Sequence, residues 1–304
     1  MICAVIDLGS NTIRLCIYEY NESEVKSLFQ RKTMAGLLNY VENEVLNKKG
    51  IAKACSVLCE YKEMLNNFNV EKENIYVFAT ASLRNIVNTK EAMDGILEAT
   101  GLRVELLSGQ EEAALDFIGA IHFIDMSDGI LVDIGGGSTE LVVFKNKEII
   151  KASSIPIGSL NSYVMNVKKI IPKEKERKKI KRIVRDSLKA LEMKQEQIRT
   201  MCGVGGTIRA VGKLDKSIHN LPEDDRKIAA SHIKEIVNLI NSSHKNILGP
   251  VLQNIPDRIH TIIPGMIILD TVAEYFGCEE IIVSHYGLRE GYLYDRILKD
   301  KAIG

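Results

Sequence analysis

The chain writes one short pattern twice. "AVIDLGSNTIRLCIYEY" occupies residues 4–20, and "ILVDIGGGSTELVVF" occupies residues 130–144. Each copy has an apolar β-branched run, an Asp-x-Gly, a turn bearing a hydroxyl and a second β-rich run, which reads as strand, turn, strand. Recurrence of a whole supersecondary unit predicts two domains of like design. The length agrees, since 304 residues exceed the roughly 100–200 of one ordinary domain.

Helical and extended stretches alternate around both copies. Val57, Leu58, Tyr61 and Leu65 recur at helical spacing over about 52–67, and "IYVFATASLRN" (75–85) reads as a buried strand running into a loop. Residues 89–101 read as a helix with Thr89 and Gly101 as its end signals, followed by a strand, a Ser-Gly turn and a helix carrying Glu111 and Glu112 in its first turn. The expected organisation is an α/β domain over 1–125, a polar joint "MSD" at 126–128, and a second domain over 126–287. A closing helix at 288–304 could pack back on the first domain. In the second half a charged helix follows Pro172, "MCGVGGTIRAVGKL" (201–214) gives strand, glycine turn and helix, and Pro264 opens or breaks an apolar helix over 255–277.

Composition removes several function classes. A formal net charge of +0 argues against whole-molecule binding to nucleic acid. The first apolar run ends at Asp7, too early for a signal peptide or a spanning helix, so the expectation is a cytoplasmic protein without a membrane partner. The six cysteines form no Cys-x-x-Cys pair and read as buried thiols. The six histidines are scattered along the chain, which argues against a zinc cluster.

The doubled turn carries the chemistry. Glycine-rich turns expose successive backbone N–H groups to an anion, and such nests bind phosphate. Gly9, Ser10 and Asn11 form one candidate nest; Gly135, Gly136, Gly137 and Ser138 form the other. Asp7 and Asp133, each at a strand end, could hold Mg²⁺ (or Mn²⁺) against phosphoryl oxygens. Two ordinary β-turns are the plainer alternative.

"VIDLGSNTIRL" and "VDIGGGSTELVV" resemble the two phosphate loops of the actin, sugar-kinase and heat-shock ATPase superfamily. With "ATASLRN" (79–85), "SGQEEA" (108–113), "GVGGTIRA" (203–210), "IIPGMIIL" (262–269) and "YGLREGYLYD" (286–295), the chain more closely resembles the exopolyphosphatase / guanosine pentaphosphate phosphohydrolase family. The resemblance implies two ribonuclease-H-like (actin-like ATPase) α/β domains with an interdomain active-site cleft, in the short two-domain form, and Mg²⁺-dependent release of terminal phosphate from inorganic polyphosphate. It implies Glu112 as the catalytic base, Arg84 as a phosphate clamp and Glu140 as part of the metal or water shell. Gly205, Gly206 and Thr207 are implied near phosphate at a helix N-terminus. Without the resemblance, Glu112 reads first as a first-turn acid stabilising a helix dipole and Arg84 as a surface ion pair, with cross-strand pairing as the alternative for Glu140. His285 stands where the family commonly has an acidic residue.

Between Lys168 and Asp186 ten Lys/Arg face three Asp/Glu. Ile180, Ile183, Val184, Leu188 and Leu191 trace an apolar face through the same region, so a solvated amphipathic helix accounts for most of that charge. The leading expectation is an exopolyphosphatase-like hydrolase, with guanosine pentaphosphate as the alternative substrate. A kinase or ATPase, or a non-catalytic phosphate or alarmone sensor, would suit the same loops, and a homodimer is left open.

Overall fold

The computed structural model describes residues 1–21, 24–193, 198–242 and 244–299. It divides into two compact units, Met1–Gly109 and Gln110–Gly304.

In the first unit β1 (Ile2–Leu8), β2 (Thr12–Tyr20) and β3 (Val25–Met34) form an antiparallel meander. A small ladder of β4 (Val41–Glu42) and β5 (Val45–Leu46) precedes the helix α1 (Lys48–Asn67). β6 (Ile75–Ala79), the one-turn α2 (Ala81–Arg84), α3 (Thr89–Thr100) and β7 (Val104–Leu106) follow. The sheet order is β3-β2-β1-β6-β7, with β1, β6 and β7 parallel. α1 begins ahead of its apolar stripe because the Asn47 side chain accepts the Gly50 N–H at 3.0 Å, a good N-cap. Its buried face, Ala54, Val57, Leu58, Tyr61 and Leu65, packs on the sheet with α3. α3 ends at Gly101 with φ 70°, the left-handed conformation that glycine adopts freely. Thr89 is not its cap: the hydroxyl donates to Leu83 O and Ile86 O instead.

The second unit opens with α4 (Gly109–Ile121), followed by β8 (Gly129–Ile134), β9 (Thr139–Lys145) and β10 (Glu148–Ile155). α5 (Ser159–Asn166), α6 (Glu174–Ala190), β11 (Thr200–Val204), α7 (Gly205–His219), β12 (Lys227–Ala229) and α8 (Ala230–Ser242) come next. The unit continues with α9 (His244–Asn254), α10 (Ile262–Phe276), β13 (Glu280–Val283) and α11 (Leu288–Tyr292). Its sheet runs β10-β9-β8-β11-β13-β12. As in the first unit, an antiparallel meander leads into parallel strands, so the doubled hairpin is the start of two sheets of one design.

Alternation along β8 sets the two faces of this sheet. Ile130, Val132 and Ile134 join the core built with α6, α7, α8 and α10. Leu131 faces the other way, with Val142, Phe144, Cys202 and Val204, onto Ala113, Phe117 and Ala120 of α4. This fit places α4 on the second sheet, where the alternation of elements along the sequence had put it in the first domain. The division therefore falls at Gly109/Gln110 rather than near 125. The closing segment Leu288–Leu298 also belongs to the second unit and meets α4 through glycines: a Cβ on Gly291 would lie 1.8 Å from Leu115 O, and one on Gly119 2.0 Å from Gly287 O. The rest of the expected 288–304 helix, residues 300–304, lies outside the described residues. Pro264 sits in the first turn of α10, where a missing N–H costs nothing, and opens that helix. Among the described residues no helix is long and apolar enough to cross a membrane.

Candidate active site

In both hairpins the turn's carbonyls are tied back. Gly135 O accepts from Ser159 N (2.9 Å) and Ser159 Oγ (3.0 Å), Gly136 O from Leu160 N and Asn161 N, and Gly137 O from Asn161 Nδ2 (2.8 Å). The N-terminus of α5 is thus filled by the loop's own carbonyls. A Cβ on Gly158 would overlap Gly136 at 2.5 Å, so glycine is required for this approach. With the carbonyls held on one side, the N–H groups of Gly136 and Gly137 have no hydrogen-bond partner among the described residues. In the first unit Ser10 O accepts from Leu38 N, and Asn11 O from Ala35 N and Gly36 N. The Ser10 and Asn11 N–H groups are left without a partner in the same way. Unpaired N–H groups in succession are what an anion nest needs.

A hydroxyl steadies each hairpin at the same place. Ser82, just past β6, donates to Leu8 O, and Thr207, just past β11, donates to Ile134 O at 2.7 Å. Thr207 is buried and its proton is spent on this bond, so its part is to hold the strand end. What the 205–207 turn offers an anion is the backbone of Gly205 and Gly206 opening α7. Gly205 has φ +81°, and a Cβ there would come 1.9 Å from Asp133 Oδ1. The "GVGGT" turn is therefore brought against Asp133.

The twins differ in charge. Across the first meander Asp7 pairs in register with Arg14, and Arg14 with Lys32. Across the second, Asp133 pairs with Glu140, and Glu140 with Ser154. Directly opposed like charges destabilise a sheet, and here two more carboxylates are added. Half-buried Asp133 and buried Glu140 lie on the α4 face, where Glu112 and Asp116, one turn apart on α4, are buried at 7% and 1% exposure. Burial, then Glu112 and Asp133, push the Glu140 carboxyl well above its usual range; Ser154 Oγ, donating to Oε1 at 2.8 Å, and Ser138 oppose this. Asp116 is pushed up likewise by burial, then by Asp133, Glu112 and Glu140, with only the Leu288 N–H favouring its charge. Neither Asp116 oxygen has a partner of good hydrogen-bond geometry among the described residues. The side-chain charges that raise these two carboxyls are all carboxylates. Such a set demands protons or a cation, and its all-oxygen donors suit a hard divalent ion.

The sequence-predicted residues fall into two sets. Glu112, Asp133, Gly135, Gly136, Gly137, Ser138, Glu140, Gly205, Gly206 and Thr207 gather in the second unit. Asp7, Gly9, Ser10, Asn11 and Arg84 gather in the first, at the ends of the parallel neighbours β1 and β6. Arg84 is half-buried and its Nη1 donates to Leu107 O at 3.1 Å. Asp7 faces an arginine across the ladder, whereas Asp133 faces a glutamate. Glu111, unlike Glu112, is exposed and pairs with Arg296 at 3.2 Å. Asp116 was missed, although its spacing of four from Glu112 places it on the same helix face.

Two further features resolve. His285 is exposed and lies among Arg226, Arg209 and Lys216; burial of part of the ring, then these cations, hold its pKa down. The 168–186 strip is largely α6, whose Ile180, Val184 and Leu188 are buried, while Lys181 and Arg185 pair with Glu274 of α10 at 2.7 and 3.2 Å. The histidines, scattered in sequence, are not all scattered in space: His219 and His232 stack at 3.9 Å beside Asp215.

The Ppx/GppA phosphatase family model matches residues 16–300. A bifunctional 3-dehydroquinate synthase/phosphatase from Fusobacterium nucleatum is 31% identical over 296 residues, covering 92% of this chain and 44% of that protein. A putative exopolyphosphatase from Haemophilus influenzae is 27% identical, covering 96% of this chain and 90% of the relative. A guanosine-5'-triphosphate,3'-diphosphate pyrophosphatase from Pseudoalteromonas translucida is 25% identical, with 97% of this chain and 59% of that protein covered. The chain thus spans about half the length of the first and third of these. Among solved structures, the Aquifex aeolicus member of the Ppx/GppA protein family superposes with a TM-score of 0.77 at 27% identity, covering 99% of this chain and 98% of that one.

Proposed function

The chain belongs to the Ppx/GppA phosphatase family, and from this we propose that it releases terminal orthophosphate from inorganic polyphosphate, with water as the attacking group. The observation that carries the reading is the carboxylate quartet of buried Glu112, Asp116 and Glu140 with half-buried Asp133, beside a glycine loop with unpaired N–H groups. A polyanion would not settle there without cations between.

In this reading Gly136 and Gly137 donate their N–H groups to phosphoryl oxygens, and Gly205 and Gly206 add the positive end of α7. Glu112 orients the water and takes its proton as the oxygen bonds to the terminal phosphorus and the anhydride bond breaks. Asp133 and Glu140 would hold Mg²⁺ (or Mn²⁺), which when bound supplies positive charge against the phosphoryl oxygens. Ser154 and Ser138 fix the Glu140 carboxyl. Asp116, its carboxyl pushed up by burial and by its carboxylate neighbours, backs the cluster. In the first unit, the Ser10 and Asn11 N–H groups and Arg84 are assigned to the polyanion, Arg84 for its bidentate fit to phosphate.

We take polyphosphate ahead of guanosine pentaphosphate because this chain spans 90% of the exopolyphosphatase relative and 59% of the pyrophosphatase. The test is phosphate release from short and long polyphosphate, guanosine pentaphosphate and ATP under one Mg²⁺ condition. The expected kcat/KM is highest for polyphosphate. A higher value for guanosine pentaphosphate would reassign the substrate, and binding without phosphate release from any of them would make the protein a sensor.

A further inference from the structure

We propose a second, transition-metal site of the zinc class, formed by Asp215, His219 and His232. Asp215 and His219 stand one turn apart on α7, and His232 comes from α8. One ligand atom from each lies within 4.8 Å of the others. Asp215 Oδ1 is 2.7 Å from His219 Nδ1 and 3.0 Å from His232 Nδ1. Tetrahedral Zn²⁺ with bonds of about 2.1 Å would set its ligands roughly 3.4 Å apart, so the two Asp215–imidazole separations would open by about 0.7 and about 0.4 Å and the stacked rings would turn so that both in-plane lone pairs meet the ion.

Burial and pairing point to a bound cation. Asp215 is 1% exposed, and its Oδ2 has no hydrogen-bond partner among the described residues. Both imidazoles turn Nδ1 to the same oxygen and stack ring on ring at 20°. With protons alone, two N–H groups crowd one lone-pair region and the other carboxylate oxygen is left bare, which is costly in a buried group. A metal ion between them uses the Nδ1 lone pairs and the carboxylate together. His219 Nε2 is buried, and Glu235 Oε2 stands 3.6 Å from it. That carboxylate is placed to accept the Nε2–H of a ligating His219, the usual outer partner of a metal-bound imidazole.

The donor set selects the metal. Two imidazole nitrogens and one carboxylate suit Zn²⁺, Co²⁺, Ni²⁺ or Cu²⁺, whereas Mg²⁺ and Ca²⁺ prefer oxygen throughout. Partial exposure of both rings, 17% and 29%, gives the ion a way in and a fourth position for water. The site lies toward the far end of the same helix whose first residues are Gly205 and Gly206. It would pin α7 to α8, making the ion structural.

The experiment uses the tag-free full chain stripped of metal. Zn²⁺ is added in competition with a chromophoric chelator, and Co²⁺ is followed by its visible d–d absorption. Wild type is expected to take up one equivalent of Zn²⁺ that raises Tm by about 5 °C at a hundredfold excess over Kd, and to give the intense band of low-coordinate Co²⁺. His219→Gln/His232→Gln, which changes partly exposed side chains, should lose at least a hundredfold in affinity together with the band. Asp215→Asn keeps the shape and should lose at least tenfold. Absence of a bound equivalent in wild type, or equal binding by the double variant, would overturn the proposal.

Discussion

Glu112→Gln is expected to slow phosphate release about 10²–10⁴-fold, the range for loss of a general base, while making the metal-free protein more heat-stable. The two outcomes share one cause. Glu112 is among the charges that raise the Asp116 and Glu140 pKa values, so its negative charge costs stability wherever those groups ionise. The folded state holds protons on Asp116 and Glu140 that the unfolded chain gives up in the ordinary carboxylate range. Stability from these groups is therefore complete at low pH and is lost as pH rises through the raised values. Thermal melts between pH 5 and 8 without divalent ions should show Tm falling in wild type, and falling less in Glu112→Gln. A purely structural first-turn acid would instead lower Tm when neutralised and leave turnover intact.

Gly205→Ala is expected to lower both stability and activity. The left-handed φ of +81° costs a non-glycine residue roughly 1–2 kcal/mol, and crowding in a packed site costs roughly 1–3 more. The new methyl would fall 1.9 Å from Asp133 Oδ1, so the Asp133 carboxyl must shift from its place. Denaturant melts should show a loss of about 3 kcal/mol, and added Mg²⁺ should restore less stability than in wild type. Gly249→Ala, where an added Cβ meets nothing within 4 Å, is the matched control.

Much of this was legible in the residues. The doubled Asp-x-Gly hairpins fixed the start of both sheets because period-two alternation and glycine turns are local signals. Gly101 and Pro264 marked helix ends for equally local reasons. What sequence could not show depended on which face met which. α4 looks like part of the first domain by order along the chain, and joins the second sheet because Ala113, Phe117 and Ala120 fit against Val142, Phe144 and Val204. The opposition of Asp133 to Glu140 needs the register, and a one-residue slip would have separated them. Asp116 reads as an ordinary helical acid until its burial is known. Asp215, His219 and His232 meet only because α8 returns beside α7 after the edge strand β12. Thr207 was read as a ligand where its hydroxyl is a brace, since a threonine after glycines looks alike in either part.

The most direct test of a cation-dependent hydrolytic centre in the second unit is the Mg²⁺ dependence of phosphate release from polyphosphate by wild type and Asp133→Asn. Wild type should be inactive in EDTA and saturate with added Mg²⁺, and the variant's half-saturating Mg²⁺ should rise at least tenfold with a lower plateau. Superimposable curves for the two proteins, or full release by wild type in EDTA, would contradict the assignment of Asp133 and its carboxylate neighbours.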